Sequence, residues 1–413
     1  MARGELIVTA LDIGTTQVRA VIARCHPERG LHIIGAAAKP VEGLRKSTIQ
    51  DAGAVANVIR STIEDAEQDA HTEVKVVQVG ISGGHLHSLN SVAVVNLIED
   101  DTIEERHIQE VLDKARSNAG EKGREILHTI PLEYRLDGHA GILNPLGMQA
   151  ARVECNVHLI SADRTMMENH ARVVNDAGFN VSELCFTGLA DGHCALSEQD
   201  KKDGVLLVDL GGGSTAYVVY CNNTVHHSSV FAVGGEHITN DLALGLNLTM
   251  PQAEELKCTY ARLLRFTGAT EDPHAIRIPT SDKKNRTVLR QDVDLIIDSR
   301  IEELLQFVHD DIQQRQLRPL LTRGVVFVGG GTQLHHFTER AEKLFAMPVR
   351  VAVPRILAPN DAHAATDFWS DRHEFLHDTT FTTALGLVRH AFISHLHAHA
   401  KRPGLFSRLF SLS

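Results

Sequence analysis

Val205-Leu-Leu-Val-Asp209-Leu-Gly211-Gly212-Gly213-Ser214-Thr215-Ala216-Tyr-Val-Val-Tyr220 is the stretch on which the fold turns. Four apolar residues between Gly204 and Asp209 predict a buried strand, and Ala216–Tyr220 predicts a second one running back. A tip of three glycines, a serine and a threonine lets backbone N–H groups approach a phosphate, because no Cβ stands in the way. Asp209 at the strand end sits where a phosphate-bound Mg²⁺ needs a carboxylate, or a water held by one. A purely structural hairpin is the alternative for this stretch taken alone.

The same pattern occurs near the N-terminus. Leu6–Leu11 is an apolar run ending in Asp12, Ile13, Gly14, Thr15 and Thr16, and Val18–Ile22 returns. Two strand–Asp–Gly–hydroxyl–strand hairpins about two hundred residues apart suggest two related half-domains facing one nucleotide. A third piece, Gly324–Val328, is a buried strand running into Gly329, Gly330, Gly331 and Thr332, with a helix expected through Leu334–Phe345. Glycines there let the backbone pass close under a ribose or α-phosphate. The three pieces in this order resemble the actin-like ATPase superfamily.

Further stretches narrow the resemblance. Gly80-Ile-Ser-Gly-Gly84-His-Leu-His, Ile130-Pro-Leu-Glu-Tyr134, Asn144-Pro-Leu-Gly147, Val157-His-Leu-Ile160, Gly234-Gly-Glu-His-Ile-Thr239 and Ala253-Glu-Glu-Leu-Lys257 are similar to the bacterial cell-division family FtsA, over roughly residues 5–395. The resemblance implies an α/β, actin-like (ribonuclease H-like) fold of two domains and four subdomains. Residues 1–83 would form subdomain 1A with the first phosphate hairpin. Residues 84–161 would be an inserted strand–helix–strand–strand subdomain, 1C, which contacts neighbouring subunits in a filament. Residues 162–196 return to 1A and carry the first crossover helix. Subdomain 2A would take 197–245 and 302–372, and subdomain 2B 246–301. The second crossover helix would lie in 373–400, and 401–413 would be an amphipathic membrane-targeting segment.

Local patterns agree with this division. Val55, Val58, Ile59, Thr62, Ile63 and Ala66 recur with a period of 3.6, predicting a helix over Ala52–Ala70 capped by Asp51. In the insert, strands are expected at Ser91–Ile98, Ile126–Arg135 and Arg152–Ile160. A helix is expected over Ile103–Ser117, capped by Asp101 or Thr102. Pro251–Ile301 reads as helix, loop and helix.

The resemblance also assigns residues. Asp12, Gly14, Thr15, Thr16, Asp209, Gly211, Gly212, Gly213, Ser214, Thr215, Gly235, Glu254, Lys257, Gly329, Gly330, Gly331 and Thr332 would bind ATP, with Asp12 and Asp209 positioning Mg²⁺ through water. Related ATPases carry a glutamate before the first crossover helix, where this chain has Cys185-Phe186-Thr187, and an Asp is common where Ala216 stands. Slow or negligible hydrolysis is the expectation, and no catalytic residue is assigned. Lys283, Lys284, Arg286, Arg290 and Arg300 form a basic cluster in an acidic chain, suited to an acidic peptide. Arg286, Arg290 and Arg300 fall where the resemblance implies a receptor for the acidic C-terminal tail of FtsZ; a solvated loop is the alternative for the lysines.

The last residues are informative in themselves. Thr379–Ser413 contains no acid but carries Arg389, Lys401, Arg402 and Arg408. Leu405, Phe406, Leu409 and Phe410 share one helical face beside Arg408, with Leu412 following. A basic amphipathic end of this kind reads as an interfacial membrane anchor. Burying four such side chains is worth a gross ~6–10 kcal/mol, much of it offset by ordering the segment. One copy should bind weakly, and many copies on a filament strongly.

Bulk properties bound the remaining readings. A chain of 413 residues calls for two domains, and a net charge of −11 argues against nucleic acid. Six scattered cysteines without a Cys-x-x-Cys spacing predict reduced thiols in a cytosolic protein. No run of eighteen apolar residues exists. Of the twenty-five histidines, His395 and His399 share a helix face with no acid or thiol to complete a metal site. The expected function is an ATP-binding, polymerising adaptor that tethers FtsZ to the cytoplasmic face of the inner membrane at the division septum and recruits later division proteins. The alternative is a peptide-binding module like the pilus assembly protein PilM. A sugar or acetate kinase of the same fold would need a catalytic base for which no motif is found.

Overall fold

The computed structural model describes residues 6–27, 30–45, 47–98, 102–261, 263, 275–279, 285–354 and 378–400. They fall into two compact units, one drawn from residues 1–82, 164–196 and 353–413, the other from 83–163 and 197–352.

The first unit is built on a five-stranded sheet. Strands β1 (Leu6–Ile13), β2 (Gln17–His26) and β3 (Gly30–Pro40) form an antiparallel meander. After a short pair, β4 (Leu44–Arg45) and β5 (Thr48–Ile49), helix α1 (Ala52–Ala70) returns the chain to β6 (Val76–Ile81), which runs parallel to β1. The Asp51 carboxylate caps α1 by accepting from Ala54 N at 3.0 Å, and the last turn closes at left-handed His71. Helix α3 (Arg164–Asp176) leads to β11 (Asn180–Phe186), parallel to β6, and then to α4 (Thr187–Ala195) and α10 (Thr382–Ala400). Val8, Ala10, Val21, Ala23 and Cys25 face α4 and α10, whereas Leu11, Val18, Ala20 and Ile22 face α1 and α3. Burial on both faces is why these strands are almost continuously apolar. Helices α4 and α10 cross at contact distance: a Cβ on Gly386 would lie 2.0 Å from the Ala190 carbonyl oxygen. Beside that crossing, the Thr383 hydroxyl donates to the buried Asp191 carboxylate at 2.7 Å.

The second unit repeats this sheet. Helix α5 (Glu198–Asp203) precedes the meander β12 (Val205–Leu210), β13 (Thr215–Cys221) and β14 (Thr224–Phe231), and β17 (Val325–Val328) and β18 (Val349–Val351) add in parallel. The strand orders β3-β2-β1-β6-β11 and β14-β13-β12-β17-β18 are thus the same topology. Helices α6 (Gly235–Gly245), α7 (Met250–Tyr260), α8 (Arg290–Gln314) and α9 (Phe337–Phe345) bury a core with Leu206, Val208, Phe327, Ile297 and Val308 at its centre.

The same unit holds the insert: β7 (Leu86–Asn96), α2 (Glu105–Asn118), β8 (Arg124–Leu136), β9 (His139–Ile142) and β10 (Arg152–Asp163), with the sheet ordered β7-β10-β8-β9. One face packs α2 through Val111 and Ala115. The other meets β14 along a polar seam. There His158 is hydrogen-bonded to Asn90 at 2.6 Å and to Ser228 Oγ at 2.9 Å, and Thr224 Oγ1 donates to Pro131 O at 3.0 Å.

Three expected elements differ. Helix α2 starts at Glu105, not Ile103, because the Ile103 backbone is taken up by Met148 and Gly147, and Glu104 N donates to His107 Nδ1. Where a loop is expected after Pro251–Tyr260, strands β15 (Ala275–Pro279) and β16 (Asn285–Leu289) form a hairpin whose Ile276, Ile278 and Val288 join the core. The helix expected from Leu334 is preceded by a 3-10 turn, Gly330–Gln333, and begins only at Phe337, after left-handed His336. The insert also carries an additional short strand, β9.

Candidate functional site

The two glycine hairpins close in the same way. Gly14 N donates to Gln17 O at 3.0 Å, and Gly211 N donates to Ser214 O at 3.0 Å. The strands then pair so that Asp12 lies opposite Arg19, and Asp209 opposite Ala216. A Cβ on Gly14 would stand 2.8 Å from Gln17 O, and one on Gly211 3.0 Å from Ser214 O, so each turn is narrow enough to favour glycine.

In the first hairpin Asp12 is 8 % exposed. Arg19 Nη1 reaches its Oδ2 at 3.6 Å, and Nη2 donates to Gln17 Oε1 at 2.9 Å. The guanidinium also lies over the Phe381 ring, and its buried Nε meets no described hydrogen-bond acceptor. Burial pushes the Asp12 carboxyl above its ordinary range, and the nearby Arg19 charge only partly reverses this. A further positive group at the carboxylate would therefore be strongly favoured. The Thr15 hydroxyl lies 3.4 Å from Ser47 Oγ, and Thr16 O accepts from Val41 N. Arg19 was not among the residues expected from sequence. Its signal was available, since a cation seven residues after Asp12 falls opposite it once the turn closes at Gly14.

In the second unit the expected residues come together. Gly235 N and Glu236 N donate to the carbonyls of Gly211 and Gly212, seating the start of α6 on the hairpin tip. A Cβ on Gly234 would be 2.5 Å from Gly211 O, which is why a glycine enters the helix there. The N–H groups of Gly212 and Gly213 meet no described backbone carbonyl. Ser214 is buried, and Thr215 Oγ1 donates to Val233 O at 2.8 Å. Lys257 Nζ donates to Glu254 Oε2 at 2.7 Å, to Thr239 Oγ1 at 2.9 Å and to Gly235 O at 3.3 Å, tying α7 to the first turn of α6. Burial pushes the Glu254 carboxyl up, but the Lys257 charge and hydrogen bonds from Lys257, Thr239 and Cys258 outweigh it and hold it below its ordinary range.

The third piece packs directly on the second hairpin. Gly329 has φ +88°, and a Cβ there would lie 2.3 Å from Asp209 Oδ1 and 2.6 Å from Leu210 O. Gly331 passes Leu210 almost as closely, and Thr332 Oγ1 donates to Gly329 O at 2.7 Å, fixing the turn that contains Gly330. At the start of α4, Thr187 is buried, and burial raises the nearby Cys185 thiol well above its ordinary range. Cys25, Cys155, Cys185 and Cys194 are buried and not joined in disulfides, and Cys258 is exposed.

The basic cluster is heavily engaged where it is described. Arg290 donates to Tyr260 O at 2.9 Å and to Asp294 Oδ1 at 3.3 Å. Arg300 donates in a fork to Asp241, at 2.5 and 3.0 Å, and also to Glu303. Arg286 lies in β16. Lys283, Lys284 and the tail residues Leu405, Phe406, Arg408, Leu409, Phe410 and Leu412 lie outside the described residues. No described helix is long and apolar enough to cross a membrane.

Comparison with known proteins places these features in a family. The family described as "Cell division protein FtsA" matches residues 206–386, and the "SHS2 domain inserted in FTSA" matches residues 83–161. The cell division protein FtsA of Pseudomonas aeruginosa is 32% identical over 353 residues, covering 85% of this chain and 84% of that protein. That of Agrobacterium fabrum is 31% identical over 415 residues, covering 97% and 90%. Among solved structures, the PilM–PilN type IV pilus biogenesis complex aligns with a TM-score of 0.66 at 16% identity, over 93% of this chain and 98% of that one. MreB5 of Spiroplasma citri bound to AMPPNP aligns with a TM-score of 0.55 at 11% identity, over 97% and 98%. These likenesses, with the repeated sheet and the insert, make the fold actin-like.

Proposed function

The chain belongs to the FtsA family of cell-division proteins, and from that premise we propose that it is an ATP-binding adaptor that polymerises and tethers FtsZ to the cytoplasmic face of the inner membrane at the division septum. The observation that carries the nucleotide reading is the duplicated hairpin with its donors. Gly14–Thr16 and Gly211–Thr215 offer amides and hydroxyls to phosphate oxygens, and Arg19 adds a buried cation. Gly235, Glu254, Lys257 and Gly329–Thr332 surround the second hairpin as a nucleoside subsite. The carboxylates of Asp12 and Asp209 suit Mg²⁺ held through water, since this ion gives up its hydration reluctantly. Bound Mg²⁺ would neutralise phosphate charge and relieve the buried Asp12.

Hydrolysis is slow in this reading. Water attack on a phosphate needs a group that orients the water, and the turn into α4 offers Cys185, Phe186 and Thr187 instead of a carboxylate. ATP then serves assembly. The segment from Leu405 anchors each copy weakly, and polymerisation makes the anchoring strong. Arg286, Arg290 and Arg300 serve the acidic FtsZ tail, and the insert serves neighbouring subunits and later division proteins.

Co-flotation with anionic liposomes tests this, comparing the full chain with one ending at Pro403, each with and without ATP–Mg²⁺. Flotation of the full chain alone, strengthened by ATP, is the expected result. Failure of both chains to float removes the tether and favours a peptide-binding module resembling PilM, with which the chain shares its fold.

A further inference from the structure

Arg300 joins α6 to α8 while carrying two acids. Its Nε and Nη2 meet both oxygens of Asp241, at 2.5 and 3.0 Å, and Nη1 donates to Glu303. Arg300 and Asp241 are each about a quarter exposed, at 24% and 25%. The guanidinium is therefore reachable from solvent, yet the group formed with its two acids has net charge −1. An approaching acidic peptide meets repulsion at the very arginine that suits it.

The pair is not what holds the two helices together. Ile238 and Leu242 on α6 and Ile297 and Ile301 on α8 are fully buried in one core. One turn beyond Asp241, a Cβ on Gly245 would lie 2.9 Å from Ile296 Cδ1, so the backbones stay close without the ion pair. Partly exposed ion pairs of this kind open at small cost. A carboxylate from outside can replace Asp241 in the same fork, conserving both hydrogen bonds.

We propose that Asp241 is a built-in competitor for the acidic peptide: Arg300 exchanges Asp241 for a peptide carboxylate, so that Asp241, seconded by Glu303, sets how acidic a peptide must be to bind. The inference rests on the reading of this face as the receptor for the FtsZ tail and adds to it the residue that sets the threshold. Acids on the protein that occupy the recognising cation discriminate against weakly acidic partners, which is specificity by competition.

The test uses the full chain and a fluorescent peptide of the FtsZ C-terminal tail, with binding followed by anisotropy. Asp241→Asn is expected to tighten binding about fivefold, Glu303→Gln to tighten it less, and Arg300→Ala to abolish it. If the wild-type chain binds and Arg300→Ala does not, while Asp241→Asn and Glu303→Gln leave affinity unchanged or weaker, the competitor role is wrong and the receptor reading stands. If neither wild type nor either acid variant binds, both fall. Glu303→Gln lies on α8 alone, so it keeps the test decisive should Asp241→Asn unfold.

Discussion

The two glycine hairpins have the same closing bond and the same strand register, yet they differ at two neighbouring positions. Opposite the aspartate, the first has Arg19 and the second Ala216. On the parallel strand, Gly80 pairs with Asp12 and is followed by Ile81, while Val328 pairs with Asp209 and is followed by Gly329. The first half supplies charge beside its carboxylate, and the second supplies room beside its own. A duplicated scaffold thus carries a cation beside one carboxylate and close passage of a backbone beside the other, through differences that leave the hairpin's closing bond and register unchanged.

The largest expected effect is at that room. Gly329→Ala places a Cβ within 2.6 Å of both Asp209 and Leu210 at a φ of +88°. Overpacking and left-handed strain should together cost about 4 kcal/mol. Gly14→Ala and Gly211→Ala, with equivalent contacts, should each cost about 1–2 kcal/mol. Urea unfolding of the three variants checks this. Equal losses at Gly14 and Gly329 would show that the second half has no special need of space.

Acid should separate the two units next. His158 is fully buried and its imidazole is pushed down to about 3, by burial first and then by His227 and His226. Burial and the Arg315 charge push His227 down to about 4, against the opposing Asp311. Burial also lowers His226, which Glu133 partly restores. In each case the folded value lies below the unfolded one near 6.5, so the unfolded chain binds the extra proton. Stability is complete above pH ~6.5 and falls as pH drops toward 4, by up to about 1.4 kcal/mol per unit for each histidine. The second unit should lose about 2 kcal/mol between pH 7 and 5.5. Limited proteolysis across that range should cut first at the seam of β7, β10 and β14, and a His158→Gln variant should flatten the pH dependence. First cleavage in the unit of β1–β3 would refute the assignment.

The charge in the first hairpin gives a smaller effect, read as affinity. Arg19→Met should weaken ATP about tenfold, the scale of one charge-assisted hydrogen bond, with the loss measured by calorimetry. An unchanged affinity would make Arg19 only the partner of Asp12. Lys257→Met should weaken ATP a few-fold and leave the dependence on Mg²⁺ unaltered, because the proposed function puts Lys257, bonded to Glu254, Thr239 and Gly235 O, at the nucleoside and not at the phosphates. A loss of Mg²⁺ dependence would move it to the phosphates.

Much of this was legible in the chain. Strand, turn and returning strand are local events, decided by apolar runs and by glycines at two tips, so both hairpins and the helix from Ala52 to Ala70 were readable with nearly correct ends. The hairpin β15–β16 was missed because Ala275–Pro279 and Asn285–Leu289 are short and contain proline, arginine and asparagine, and only burial of Ile276, Ile278 and Val288 in a distant core stabilises them. The late starts of α2 and α9 have the same origin, in backbone groups claimed elsewhere.

By itself the sequence determined the repeated strand–Asp–glycine pattern, the division into α/β units with an insert, and the family, because each depends on residues near one another in the chain. Tertiary structure alone decided that Asp241, 59 residues from Arg300, occupies its fork, and that His158 and Ser228 share a seam. It also decided that Gly329 makes space against Asp209. Those pairings depend on which surfaces the packed cores bring within hydrogen-bonding distance, and hydrogen bonds and close contacts fall away within an ångström. No periodicity along the chain encodes a distance of that kind.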